Sequence, residues 1–271
     1  MIDSIRIEDL TVLRAWPGRP TRPPVLFVHG FFADASLFAG WLDFFAERGA
    51  PSYALNLRGR ADSRPGIDLG DTTIAEFTED AAIVARQLGA PAVIGHSMGG
   101  LVAQCLAERG LASAAVLISP APPAGISLLS PAVALRELSW LPAMLFSRLV
   151  HPTAAALRAL VLNHLTPSEQ NAVLRRLVPD SGRAAREMAL RGVAVDARRV
   201  RCPVLVVAAD DDQFIPPRVG HRVAARYHAA LDLRAGHGHM LPIEPGWDAL
   251  ATDVFRWIES HTTLGMSTPS R

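Results

Sequence analysis

One serine in this chain is framed for nucleophilic chemistry. Gly95-His96-Ser97-Met98-Gly99 sets Ser97 between two glycines, after a strand-like run, Pro91 to Ile94, and before a helix-like run, Leu101 to Glu108. A G-x-S-x-G turn between strand and helix holds its serine in strained backbone, where larger flanking residues would clash with the adjoining elements. A serine hydroxyl attacks a carbonyl only when a base takes its proton, and that base needs an orienting carboxylate. Two histidines meet the first need: His237 and His239, in Gly236-His237-Gly238-His239-Met240, follow the last strand-like run. Three carboxylates meet the second: Asp210-Asp211-Asp212 follow Val204 to Val207. Attack builds negative charge on the carbonyl oxygen, so backbone N–H groups must already face it. Met98 N–H, at a helix N-terminus, is one candidate donor. Phe31 N–H, after His29-Gly30 at the end of the first long strand, is the other, with His29 expected to shape that loop structurally.

These residues are far apart in sequence, so a regular scaffold has to gather them. Short apolar runs read as strands at Val25–His29, Tyr53–Leu57, Pro91–Gly95, Ala115–Ser119, Pro203–Ala209 and Leu231–Arg234. Amphipathic stretches between them read as helices. One runs from Ser36 to Arg48, and another follows the Thr73-Ile74-Ala75-Glu76 capping box. Further helices are read to near Gly110, from Arg218 to Tyr227 and from Gly246 to Ser260. The alternation predicts an α/β fold with a mostly parallel central sheet and helices on both faces. Between Pro120 and Arg199 the rhythm fails and no strand is read. Residues 1–119 and 200–261 are therefore expected to form the core, with 120–199 an inserted helical subdomain and 262–271 a disordered tail.

Composition narrows the chemistry further. The 271 residues carry a net charge of +1 and no basic run, which argues against a nucleic-acid partner. There is no lysine, so no side-chain amine is available for Schiff-base catalysis. Cys105 and Cys202 lie in apolar surroundings and are expected to be buried thiols rather than a disulfide. No metal or organic cofactor is implied. The N-terminus has no apolar leader, so a cytoplasmic protein is expected. An uncharged stretch from Gly110 to Leu135 is too rich in proline and glycine to read as a membrane-spanning helix.

His29-Gly30-Phe31-Phe32, Leu57-Arg58-Gly59-Arg60-Ala61-Asp62-Ser63 and Gly95-His96-Ser97-Met98-Gly99-Gly100 together resemble the α/β-hydrolase superfamily. The resemblance runs from about Val25 to the closing helix and weakens across the insertion. It implies that Asp212, between Ala209 and Pro216, is the orienting acid. It likewise implies that His239, after Gly238 and five residues before Glu244-Pro245, is the base. Serine at 97 departs from the haloalkane dehalogenases and epoxide hydrolases, and His96 resembles the esterases and lipases. Ala209 stands where many members have glycine. Arg60 and its neighbours replace the usual Arg-Gly-His-Gly-x-Ser, a change expected near the pocket entrance.

The insertion resembles a cap. Its apolar residues from Ile126 to Val150, including Leu128, Leu129, Val133, Leu135, Leu138, Trp140 and Met144, are expected partly to wall a pocket. Phe32, His96, Trp140 and Phe146 are expected to touch substrate. The resulting expectation is a carboxylesterase- or lipase-like serine hydrolase. It would cleave an ester, thioester or lactone of a small apolar molecule through an acyl-enzyme. A peptidase, amidase or perhydrolase with the same residues, or an inert ligand binder, stays open on sequence alone.

Overall fold

The computed structural model describes residues 1–128 and 140–262. Leu129, Val133, Leu135 and Leu138 of the expected pocket wall, and 263–271 of the expected tail, lie outside the described residues. Among the described residues one eight-stranded sheet is built from β1 (Ile2–Ile7), β2 (Leu10–Ala15), β3 (Val25–Val28), β4 (Ser52–Leu55), β5 (Ala92–His96), β6 (Ala114–Ile118), β9 (Val204–Ala209) and β10 (Ala230–Arg234). Their order is β1-β2-β4-β3-β5-β6-β9-β10. The first three in that order are joined antiparallel and all later neighbours are parallel. Residues 1–15, for which the sequence pattern suggested no element, form the β1–β2 hairpin; the edge strand β1 is only half buried, so its alternation is faint.

Strands β3, β4, β5, β6 and β9 are buried along their whole length, the signature of a parallel sheet covered on both faces. Successive side chains divide between the faces. Leu26 and Val28 join a cluster with α2 (Ile74–Gln87), α3 (Met98–Glu108) and α8 (Pro217–Tyr227). Val25 and Phe27 join Trp41, Leu42 and Phe45 of α1 (Ala39–Glu47) and Leu250, Val254 and Ile258 of α9 (Trp247–Thr262). The capping box is present at α2, where Thr73 Oγ1 accepts from Glu76 N–H and Glu76 Oε2 accepts from Thr73 N–H. Thr262, assigned to the tail by sequence, ends α9.

Register sets the site. Val28 lies opposite Gly95, so the loop after β3 and the turn after β5 leave the sheet side by side. Ala209 lies opposite Arg234, which does the same for the loops after β9 and β10. Between β6 and β9 run α4 (Leu141–Leu145), α5 (Ala154–Leu160), α6 (Pro167–Leu174), α7 (Gly182–Arg186) and a π-helical turn at Glu187–Arg191. This segment is not strand-free. Leu149–Val150 (β7) and Asp180–Ser181 (β8) pair antiparallel. Two residues are too few to show a period, so this ladder is created by tertiary approach.

The loop after β4 is anchored by a buried charge pair. Asp80 accepts from Arg58 N–H at 3.0 Å, from its Nε at 2.9 Å and from its Nη2 at 2.8 Å. Arg58 Nη1 also reaches the half-exposed Glu76 at 2.9 Å, so removing Asp80 takes away the guanidinium's buried countercharge and three of the residue's hydrogen bonds. Asp80→Ala is accordingly expected to lower unfolding free energy by about 3–5 kcal/mol, measured by urea denaturation.

Candidate active site

Ser97 occupies the turn between β5 and α3 with φ 54 and ψ −120, a left-handed conformation rare outside glycine. The turn tolerates no side chain two residues to either side of the serine. A Cβ on Gly95 would lie 2.1 Å from Gly99 O, and one on Gly99 would lie 2.1 Å from Val28 O. Gly30, on the adjoining loop, passes so close that its Cβ would meet Ser97 Cβ at 2.8 Å. The glycines of the motif are thus required by backbone approach.

Asp212, just past β9, is buried and accepts from Phe214 N–H at 2.9 Å and Ile215 N–H at 2.7 Å. Its other oxygen lies 2.8 Å from His239 Nδ1, which therefore carries the proton and leaves Nε2 as the free lone pair. The neighbouring candidates are engaged elsewhere. His237 Nδ1 faces Glu244 at 3.1 Å, Asp211 meets His164 Nε2 at 2.7 Å, and Asp210 accepts from Gly236 N–H at 2.8 Å. The loop carrying His239 is pinned on both sides by Glu244, which is buried and accepts from Gly238 N–H and Met240 N–H, each at 2.9 Å. His96 Nε2–H donates to the His239 carbonyl at 2.9 Å, and the Phe214 ring stands edge-on to the imidazole at 5.2 Å.

Ser97 and His239 open into one pocket of about 950 Å³, counting its mouth. Phe31, Phe32, Met98, Phe214, Ile215 and Met240 line it from the sheet side, and Trp140, Met144, Leu157, Leu162 and Met188 line it from the segment after β6. Among the described residues, no Asp, Glu or Arg side chain lines it. Among the expected substrate contacts, Phe32, His96 and Trp140 lie in the wall. Phe146 does not. It follows the short helix α4, whose inward face is taken by Met144, so the Phe146 ring turns outward, 68% exposed and beneath the Arg148 guanidinium. Phe214, Ile215 and Met240 were not singled out by sequence; each lies within three residues of a candidate residue, which was the available signal.

His29 is structural in its contacts. Its Nδ1–H donates to the Gly30 carbonyl at 2.8 Å and its Nε2 accepts from Leu57 N–H at 3.3 Å. Burial holds the Cys105 and Cys202 thiols up at about 11, so both stay protonated near neutral pH. Among the described residues, no group of three or more His, Cys, Asp or Glu side chains is placed to hold a metal ion, and no helix is long and apolar enough to cross a membrane.

Residues 25–253 match the Alpha/beta hydrolase family. No curated protein sequence matches the chain. Among solved structures, an esterase from Thermogutta terrifontis is similar at 21% identity and TM-score 0.71, covering 97% of this chain and 100% of its own. A soluble variant of monoglyceride lipase from Saccharomyces cerevisiae is similar at 17% identity and TM-score 0.77, covering 97% and 96%. The thioesterase domain from the curacin biosynthetic pathway is similar at 17% identity and TM-score 0.64, covering 96% and 99%. At these identities the likeness is one of fold.

Burial lowers the pKa of both His29 and His96 from 6.5 to about 3, assisted at His29 by the Arg60 charge and at His96 by His239. Below pH 6.5 the unfolded chain takes up protons that these native imidazoles refuse. The stability that these two histidines contribute is therefore fully kept above pH 6.5 and lost as pH falls from 6.5 toward 3. His96→Gln is expected to make that loss shallower by up to about 1.4 kcal/mol per pH unit, measured by urea denaturation at several pH values between 4 and 7.5.

Proposed function

The chain belongs to the alpha/beta hydrolase family, and on that premise we propose that it is a serine hydrolase cleaving carboxylic esters with an apolar acyl or alcohol part. The observation that carries this reading is the convergence of the strained Ser97 turn and the Asp212–His239 pair on one pocket whose described lining is free of Asp, Glu and Arg. The esterases and lipase among the structural neighbours agree with it.

In this reading Ser97 Oγ attacks the acyl carbon while His239 Nε2 takes its proton. Asp212 keeps the proton of Nδ1 in place and stabilises the imidazolium that forms. The carbonyl oxygen becomes an oxyanion and receives N–H bonds from Met98, at the start of α3, and from Phe31. Phe32 N–H is already committed to Asp180 Oδ2, which leaves Phe31 as the donor from that loop. The tetrahedral species collapses, His239 returns the proton to the leaving alcohol, and water then repeats the sequence on the acyl-enzyme. The segment 120–199 serves as the cap, contributing the apolar roof of the pocket. An ester fits the apolar wall that the described residues make; thioesters and lactones share the same chemistry.

Ser97→Ala is expected to remove at least about 10³-fold of kcat/KM while the fold survives, and Asp212→Asn to cost far more than Asp210→Asn or Asp211→Asn. Steady-state assays on a p-nitrophenyl ester check both. A Ser97→Ala enzyme with more than a tenth of wild-type turnover would remove Ser97 as nucleophile.

The pocket wall makes a second expectation. Each methylene placed against it adds at most about 0.8 kcal/mol of binding. Specificity constants should rise from acetate through butyrate to hexanoate esters, and an ester carrying a carboxylate should be poor. A flat series or a preference for the anionic ester would contradict an apolar acyl site.

A further inference from the structure

Phe32 holds φ 62, left-handed backbone that a bulky residue adopts only when its surroundings over-determine it. Both of its backbone groups are held by the segment after β6. Phe32 N–H donates to Asp180 Oδ2 at 2.9 Å, and Val178 N–H donates to Phe32 O at 3.0 Å. Asp180 is fully buried and also accepts from Ser181 N–H at 2.8 Å. Its charge is met by the Arg60 guanidinium, itself buried. The remaining Arg60 donors reach Arg58 O at 2.9 Å and Ala33 O at 3.4 Å. One ion pair therefore joins three pieces of chain: the loop after β3, the loop after β4 and strand β8.

We infer that Asp180 and Arg60 are positioning residues for the oxyanion donor, an inference that rests on the Ser97 esterase reading. The peptide that carries Phe31 N–H is held at its Gly30 carbonyl by His29 Nδ1–H, at 2.8 Å. The following peptide is held at Phe32 N–H by Asp180. Together the two restraints fix the direction of Phe31 N–H. The second comes from the proposed cap, so the oxyanion site is complete only while that segment is seated. Neither Asp180 nor Arg60 lines the pocket, so neither contributes directly to substrate binding. An acceptor at 180 is what the donor geometry needs. Arg60 is there because a buried carboxylate needs a countercharge.

Two double variants separate this role from simple stability. Arg60→Met/Asp180→Asn removes both charges but keeps an oxygen for Phe32 N–H, whereas Arg60→Met/Asp180→Leu removes the oxygen as well. Replacing a buried pair by apolar groups is commonly tolerated by a fold. The asparagine variant is expected to keep kcat within about threefold of wild type, and the leucine variant to lose about 10- to 100-fold in kcat with KM little changed. A boronic acid that mimics the tetrahedral species should lose affinity in parallel with kcat. Equal kcat in the two variants, or a loss confined to KM, would overturn the inference. If the leucine variant does not fold, Arg60→Met/Asp180→Ala, which removes the same oxygen with a smaller side chain, takes its place: a kcat tenfold below that of the asparagine variant supports the role, and a kcat equal to it overturns the inference. A wild type without ester turnover or fluorophosphonate labelling at Ser97 would sink the esterase reading and this inference with it. An active wild type with indistinguishable variants sinks this inference alone.

Discussion

At the end of β5 three stretches of backbone press against one another, and their approach leaves no room for side chains at Gly30, Gly95 or Gly99. This crowding forces Ser97 into φ 54 and turns it out of the sheet toward the pocket. The same crowding brings the loop after β3 beside the first turn of α3, so that two sources of backbone N–H border the serine. A bulkier residue at any of the three positions would push these pieces apart. The proposed reaction depends on that closeness, because backbone donors are useful only if they are in place before charge develops.

The histidine is placed by a different device. Glu244 is a buried acceptor that grips the loop at Gly238 and Met240, one residue to either side of His239. His96, beside the serine in sequence, holds the His239 carbonyl. Serine and histidine are thus tied through a contact from the His96 side chain to the His239 backbone, which leaves the His239 imidazole free of it. Because burial keeps His96 neutral, this tie does not add a positive charge beside the imidazolium that the proposed mechanism forms.

The segment after β6 serves two ends at once. Its inward residues, Trp140, Met144, Leu157 and Met188, make the roof apolar. Its Asp180 enters the core and pairs with Arg60 beneath that roof. A buried charge pair is weak evidence for stability but strongly constrains geometry, since any other arrangement leaves a charge without a partner. Arg60 departs from the family's usual histidine, and the structure supplies the reason: a longer, permanently charged side chain reaches a carboxylate that the neighbouring segment carries.

Much of this molecule was legible in its sequence because the relevant signals are local. Apolar runs long enough to be strands, amphipathic runs between them and the capping box at Thr73 report the layers of the fold from nearest-neighbour chemistry alone. The Gly95–Gly99 turn marked Ser97 because steric crowding between adjacent elements shows as glycine. Between Asp210, Asp211 and Asp212, and between His237 and His239, local chemistry was silent: each is a polar residue in a loop after a strand. Resemblance favoured Asp212 and His239, but only the parallel pairing of β9 with β10 laid their loops together and joined the two at 2.8 Å, while Glu244 took His237. The β7–β8 ladder, the outward turn of Phe146 and the reach of Asp180 to Phe32 were likewise invisible. They depend on contacts between residues far apart in the chain, up to 148 positions for Phe32 and Asp180. Periodicity and motif report what a residue does to its neighbours in sequence; which distant partner a buried charge meets is decided only when the layers close.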